Sequence, residues 1–249
     1  MDRHAADWEE LARREPYFAV LASEGSPGVE GSRIATAAFL DTGQEDIASL
    51  LSAITSLLGR DMAMGSALDF GCGAGRLTLP LARRFATVVA CDVAPTMLNH
   101  ARQNIENAGL RNVTFVGPDL LAELPPRHFD FVCSLLVFQY IRPATGYQII
   151  QTLLDLLAPG GVAALHLTFG LPNRSLRRLA RWIRGRWRRA PDAPGAIPDE
   201  KRLPSYVQMN EYEERVVHRR IEAAGARLAG RFATNQGDTP GAVLVIQKP

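Results

Sequence analysis

Ala67-Leu68-Asp69-Phe70-Gly71-Cys72-Gly73-Ala74-Gly75-Arg76 decides how this chain is read. A short apolar run enters three glycines at alternating positions, and a segment with helical character, Leu77 to Phe85, comes directly after. Glycine at such a crossing lets the backbone adopt positive φ and lets a ligand approach the main chain with no Cβ in the way. A dinucleotide fingerprint needs G-x-G-x-x-G, and the position of its last glycine is Arg76, so the pattern is G-x-G-x-G instead. That spacing favours a ligand other than NAD.

The residues C-terminal to the loop add weight to it. A second apolar strand, Thr87-Val88-Val89-Ala90-Cys91, ends in Asp92, about twenty positions beyond the first glycine, where a ribose-binding carboxylate belongs. An acidic residue leading into G-x-G-x-G resembles the first motif of the class I S-adenosylmethionine-dependent methyltransferases, and Asp69, Gly71, Gly73 and Gly75 match it in full. The resemblance covers roughly residues 64 to 170 and implies S-adenosylmethionine as cofactor. It implies that Asp69 lies near the methionine end, with Cys72 among the loop residues. It further implies that Asp92 takes the ribose hydroxyls and that Asp119, with Leu120 beside it, receives the adenine amino group.

The remaining pattern predicts an α/β fold, Rossmann-like and doubly wound. Val113-Thr114-Phe115-Val116 is a third strand, Phe129 to Leu136 a fourth after the Pro125-Pro126 turn, and Val162 to Phe169 a fifth after Ala158-Pro159-Gly160-Gly161. Strands alternating with helices imply a mainly parallel sheet covered on both faces. Two runs near the end, Ala226 to Phe232 and Ala242 to Gln247, resemble the antiparallel pair that completes the seven-stranded methyltransferase sheet. The expected organisation is a single domain over 1–249: an N-terminal helical cap (1–60), the cofactor-binding core (64–170), a lid insertion (171–209) and a C-terminal helix and strand pair (210–249).

Composition agrees. With 249 residues, 47% hydrophobic and 22% charged, the chain can bury a substantial core. No apolar stretch approaches a membrane span and no signal-peptide core follows Met1, so the expected compartment is the cytoplasm. Cys72, Cys91 and Cys133 are too few and too dispersed for a disulfide framework or zinc site and read as buried thiols.

Upstream, Asp7-Trp8-Glu9-Glu10 and Thr42-Gly43-Gln44-Glu45 read as capping boxes opening two helices, the second with Ile47, Leu50, Leu51, Ile54, Leu57 and Leu58 on one face. Tyr17 and Phe18, at the break after Pro16, are candidate substrate-lining residues by similarity to related small-molecule enzymes; core packing is the alternative. Eight arginines fall between Arg174 and Arg189, around a stripe of Leu176, Leu179, Ala180, Ile183 and Trp187. This basic amphipathic helix reads as a lid packed on the domain, as a helix on an anionic membrane, or as a contact for an acidic partner. A net charge of only +2 argues against nucleic acid as partner.

The chemistry demands little of the side chains. A sulfonium methyl is already activated, so transfer depends mainly on alignment with the acceptor. No D/N-P-P-Y comes after the fourth strand, and the paired glutamates and metal-holding carboxylates of other methyltransferase classes are lacking, so no metal is expected. For a hydroxyl acceptor, His166 and Tyr140 are the candidate catalytic bases, with Gln139 as an orienting group; a buried, hydrogen-bonded histidine is the alternative for His166. Tyr206, Met209 and Tyr212 are candidate acceptor-lining residues, and Asn210 with Glu213 reads as a helix cap. The sequence therefore predicts methyl transfer to an oxygen or nitrogen of a small molecule, such as a secondary metabolite. A lipid-linked acceptor, or cofactor binding without turnover, is the alternative.

Overall fold

The computed structural model describes residues 3–14, 36–170, 209–236 and 239–249. Tyr17, Phe18, Tyr206 and the arginine-rich stretch 174–189 lie outside them.

Seven strands form one sheet: β1 (Ser66–Phe70), β2 (Thr87–Cys91), β3 (Val113–Val116), β4 (Phe129–Ser134), β5 (Leu157–Thr168), β6 (Arg227–Gln236) and β7 (Thr239–Gln247), in the order β3-β2-β1-β4-β5-β7-β6. The pairs from β3 through β5 are parallel, and β7 runs antiparallel to both of its neighbours. The chain builds outward from β1 to β3 and then returns to β4 on the other side of β1. The crest between β1 and β4 is thus a topological switch point, where open α/β sheets place ligands.

Among the described residues, six helices accompany the sheet: α1 (Arg3–Arg14), α2 (Thr36–Leu58), α3 (Thr78–Ala82), α4 (Pro95–Asn107), α5 (Pro143–Asp155) and α6 (Glu214–Ala223). Proline opens α4 and α5, where its missing N–H is no loss and its φ is already helical. Burial follows helical spacing, with Met97, Ala101 and Ile105 on α4 and Ile150, Leu153 and Leu154 on α5. The two cores separate by sheet face. Val132 and Leu165 join α5 and α6 on one side, whereas Phe131, Cys133 and Ala164 join α2 and α3 on the other. Phe85 stacks on Phe131 at 5.7 Å in the second core. Among the described residues no helix is long and apolar enough to cross a membrane.

Four expected boundaries move. Both capping boxes fall inside helices that begin earlier, at Arg3 and Thr36, and the Thr42 hydroxyl donates to Phe39 O within α2 at 2.7 Å. Glu9 of the first box serves another element instead, accepting hydrogen bonds from Thr96 near the start of α4. Asn210 is no cap either: α6 starts after Glu213 without a side-chain cap, and Asn210 N donates to Gln139 O at 2.6 Å. Strand β5 begins five residues before Val162, at Leu157, because the Pro159-Gly160-Gly161 stretch is carried as an irregularity in the β4–β5 register.

Candidate active site

The loop after β1 takes the conformation its glycines permit. Gly71, Gly73 and Gly75 have φ of +77°, +51° and +89°. Gly71 N and Cys72 N both donate to Cys91 O at the end of β2, at 2.7 and 3.0 Å, which draws the loop over the β1–β2 crest. A Cβ at Gly71 would overlap Val137 Cγ2, and one at Gly75 would lie 3.2 Å from Ala101 on α4. The first contact brings the β4 side of the crest onto the loop; the second lets α4 approach it.

Two carboxylates shape this loop from below and beside. Asp69 is buried and accepts a hydrogen bond from Thr78 Oγ1, in the first turn of α3, at 2.6 Å. Burial pushes its carboxyl up to about 6, against the opposing effects of the Thr78 bond and the Arg76 charge. Asp92 is half-buried, and its two oxygens accept from Gly73 N at 2.8 Å and Ala94 N at 2.9 Å. Burial raises its pKa, while the backbone N–H groups of Ala94, Gly73 and Val93 oppose the rise. Asp119 and Leu120 are both exposed in a 3₁₀ segment, Pro118–Glu123, directly after β3. The parallel register sets Cys91 beside Val116, so the segments carrying Asp92 and Asp119 leave neighbouring strands at the same edge. Cys72 is buried, its thiol driven well above the ordinary cysteine range by desolvation and nearby carboxylates, and its Sγ faces Gly73 O at 3.6 Å.

Two tertiary anchors carry no local signal in the sequence. Glu9 of α1 is buried, and its carboxylate accepts from Thr96 N at 3.0 Å and Thr96 Oγ1 at 2.6 Å. It thereby caps α4 from outside, at a helix whose own N-cap residue, Ala94, has no side chain to do so. Burial raises the Glu9 pKa, but the Thr96 bonds and Arg13 outweigh it and leave the group below its ordinary value. Leu11 and Ala12 of α1 share a buried apolar cluster with Ala94 and Met97, which brings Glu9 to the start of α4. Arg76, where a dinucleotide loop would have glycine, is 6% exposed and pairs with Asp46 of α2 at 2.5 Å. Gly43 lets α2 cross there, since a Cβ would collide with Arg76 O.

The carboxyl ends of β4 and β5 hold the remaining candidates. Tyr140 is half-buried and meets Trp8 of α1 edge-on, with ring centroids 5.2 Å apart. Gln139 is 3% exposed, and its Oε1 is buried with no hydrogen-bond partner among the described residues. Met209 is exposed. His166 departs from the role of a free base: it is 2% exposed, Nδ1 accepts from Leu136 N at 3.3 Å, and Nε2 lies 2.8 Å from Thr234 Oγ1. Desolvation lowers its pKa to about 4. Tyr212 likewise departs from a pocket-lining role. Its ring is buried edge-on against Phe138 and Tyr147, and its hydroxyl donates toward Phe138 O and Ile141 O at 3.1 and 2.9 Å. A large amphipathic ring whose hydroxyl finds two carbonyls inside the core has no reason to face a pocket.

Comparison with known proteins matches this geometry to one family. The family profile described as a methyltransferase domain fits residues 67–161. Residues 67–161, from β1 into β5, thus resemble a methyltransferase domain. An uncharacterised methyltransferase of Mycobacterium tuberculosis (strain ATCC 25618 / H37Rv) is 34% identical over 119 residues, spanning 47% of this chain and 57% of that protein. The ubiquinone biosynthesis O-methyltransferase of Cereibacter sphaeroides is 37% identical over 99 residues, 38% of each chain. The matched stretch thus spans less than two thirds of these relatives' own length. Among solved structures, magnesium protoporphyrin IX methyltransferase from Synechocystis PCC 6803 with bound SAM superposes with a TM-score of 0.61 at 17% identity, over 99% of this chain and 97% of that one.

Proposed function

We propose that this chain binds S-adenosylmethionine on the glycine loop and directs its methyl group to an oxygen or nitrogen of a small-molecule acceptor. The observation that carries the reading is the loop itself: three alternate glycines at positive φ, closed on β2, with Asp92 bonded to the middle one. A bare main-chain surface suits a ligand that lies flat along it. The half-buried Asp92 supports a diol at its carboxylate, and the exposed Asp119 and Leu120 supply an acceptor and an apolar contact for a purine at the next strand end.

When bound, S-adenosylmethionine supplies a methyl group already activated by the sulfonium. The chain's residues then need to orient an acceptor and exclude water. The edge formed by β4, β5 and α1 suits that task, since Trp8 and Tyr140 give it an aromatic wall and Gln139 gives it a buried carbonyl awaiting a donor. With both nitrogens of His166 engaged, Tyr140 is the candidate left for moving a proton from a hydroxyl acceptor. The small-molecule class draws further support from the relatives, named for ubiquinone biosynthesis and magnesium protoporphyrin IX. Isothermal titration with S-adenosylmethionine, S-adenosylhomocysteine and NAD tests the first half of the reading: the two sulfur compounds bind and NAD does not. Binding of NAD alone would overturn it. Tritiated methyl transfer to a panel of hydroxy and amino acids, phenols and quinols tests the second.

A further inference from the structure

His166 lies where a general base is wanted and is built to be something else. Strand β4 ends at Ser134, and two residues later Leu136 adopts φ of +64°, a left-handed conformation that costs any residue bearing a Cβ. Its N–H leaves the ladder of the sheet and needs another acceptor. His166 Nδ1 supplies it at 3.3 Å, which places the ring hydrogen on Nε2, facing Thr234 Oγ1 of β6 at 2.8 Å. Room for this contact depends on Gly241, where a Cβ would stand 2.9 Å from Thr234 Oγ1 and 3.3 Å from His166 Nε2. The residue after Leu136 is Val137, whose methyls lie against Gly71, the first glycine of the loop. Gln139 and Tyr140 come next, in the 3₁₀ turn Phe138–Tyr140.

From this chain of contacts, Thr234 to His166 to Leu136 to Val137 to Gly71, we infer that His166 is a positioning residue. Its neutral imidazole holds Leu136 in the left-handed conformation and so fixes the wall between the glycine loop and the acceptor edge. The inference rests on the reading of the glycine loop as the S-adenosylmethionine site. It does not require the ring to exchange a proton with any acceptor. The Nδ1 lone pair is occupied, and the Nε2 hydrogen is committed to a hydroxyl inside the protein.

The test is a rescue. His166→Ala weakens S-adenosylhomocysteine binding by about tenfold, because the freed turn no longer holds Val137 on the loop. Adding Leu136→Gly restores binding to within about threefold of the unaltered protein, since glycine keeps positive φ without a strut. A purely structural or a catalytic histidine predicts no such rescue, so a double variant as weak as His166→Ala overturns the inference. Unchanged binding in His166→Ala overturns it as well. Should His166→Ala fail to fold, Thr234→Val, which removes only the partner of Nε2, takes its place in both comparisons. If the unaltered protein binds neither S-adenosylmethionine nor S-adenosylhomocysteine, the functional reading falls and amide hydrogen exchange still judges the strut. The Leu136 amide is protected in the unaltered protein and exchanges at least about tenfold faster in Thr234→Val or His166→Ala. Equal exchange would refute the strut.

Discussion

Gly71→Ala separates two costs that a glycine loop conceals. The residue sits at φ of +77°, so alanine incurs the left-handed penalty of about 1–2 kcal/mol. Its new Cβ would also overlap one methyl of Val137 and lie 2.7 Å from the other, far inside the ~3.5–4.0 Å optimum for carbon contacts. Valine cannot swing away cheaply because branching at Cβ stiffens χ1, and overpacking of this kind costs about 1–3 kcal/mol. The sum, about 2–5 kcal/mol, leaves a domain of ordinary stability folded. Gly59 is the control. It has φ of +63° with open space around the position, so Gly59→Ala shows only the conformational part, about 1–2 kcal/mol. Urea midpoints at common slope measure both. Val137→Ala, placed on Gly71→Ala, recovers the steric part because the overlapping methyls are gone. Titration with S-adenosylhomocysteine then shows whether the same contact shapes the cradle. Equal costs for Gly71→Ala and Gly59→Ala would refute the packing of Val137 on the loop. Unaltered binding in a destabilised Gly71→Ala would refute the loop as the cradle.

Asp92→Ala removes the acceptor of the Gly73 and Ala94 N–H groups and should weaken S-adenosylhomocysteine binding by about 1–3 kcal/mol, read by calorimetry; unchanged affinity removes Asp92 from the site. Glu9→Ala strips the external cap from α4 and should lower stability by about 1–2 kcal/mol, with Thr96→Ala adding little on top of it; full additivity in that double-variant cycle would show that the two do not act as one contact. Acid stability should show two opposed terms. Asp69 is raised from 3.8 to about 6, so its ionisation costs stability as pH rises through that window; His166 is lowered from 6.5 to about 4, so its contribution is present above 6.5 and is lost as pH falls towards 4. Each is worth on the order of 3 kcal/mol, so they largely offset one another in the unaltered chain. Asp69→Asn should therefore gain stability with rising pH between 4 and 6.5, and His166→Gln should lose it between 4 and 6; slopes of the same sign in urea midpoints of both variants contradict the assignment.

Much of the fold was legible because its signals are local. Five apolar runs and a glycine loop encode five parallel strands and a turn, and their order along the chain limits the sheet to few topologies. Glycine needs nothing beyond its own backbone to mark the loop, and all three adopt the positive φ their spacing implied. Helix starts were less legible. Asp7 to Glu10 and Thr42 to Glu45 have the composition of caps, but composition does not tell whether an oxygen turns to its own helix or to a neighbour. Glu9 turns to Thr96 and Asp46 to Arg76, each far away in sequence.

The acceptor edge was the least legible for a related reason. His166 and Tyr212 have the chemistry of a reaction site, and the sequence cannot show whether a polar atom near the end of a strand points outward or inward. The answer depends on what arrives across the sheet. The antiparallel return of β7 brings Gly241 opposite Thr168 and, through β6, delivers Thr234 to the imidazole. Gly146 on α5 leaves the space that the Tyr212 ring fills, since a Cβ there would collide with the phenol oxygen. Both side chains are thus held by small residues distant in sequence, and neither glycine advertises a function of its own. Gln139 is the opposite case: its backbone carbonyl is taken by Asn210, while its side-chain carbonyl is buried and unmatched among the described residues. An unpaired buried acceptor costs stability unless something donates to it.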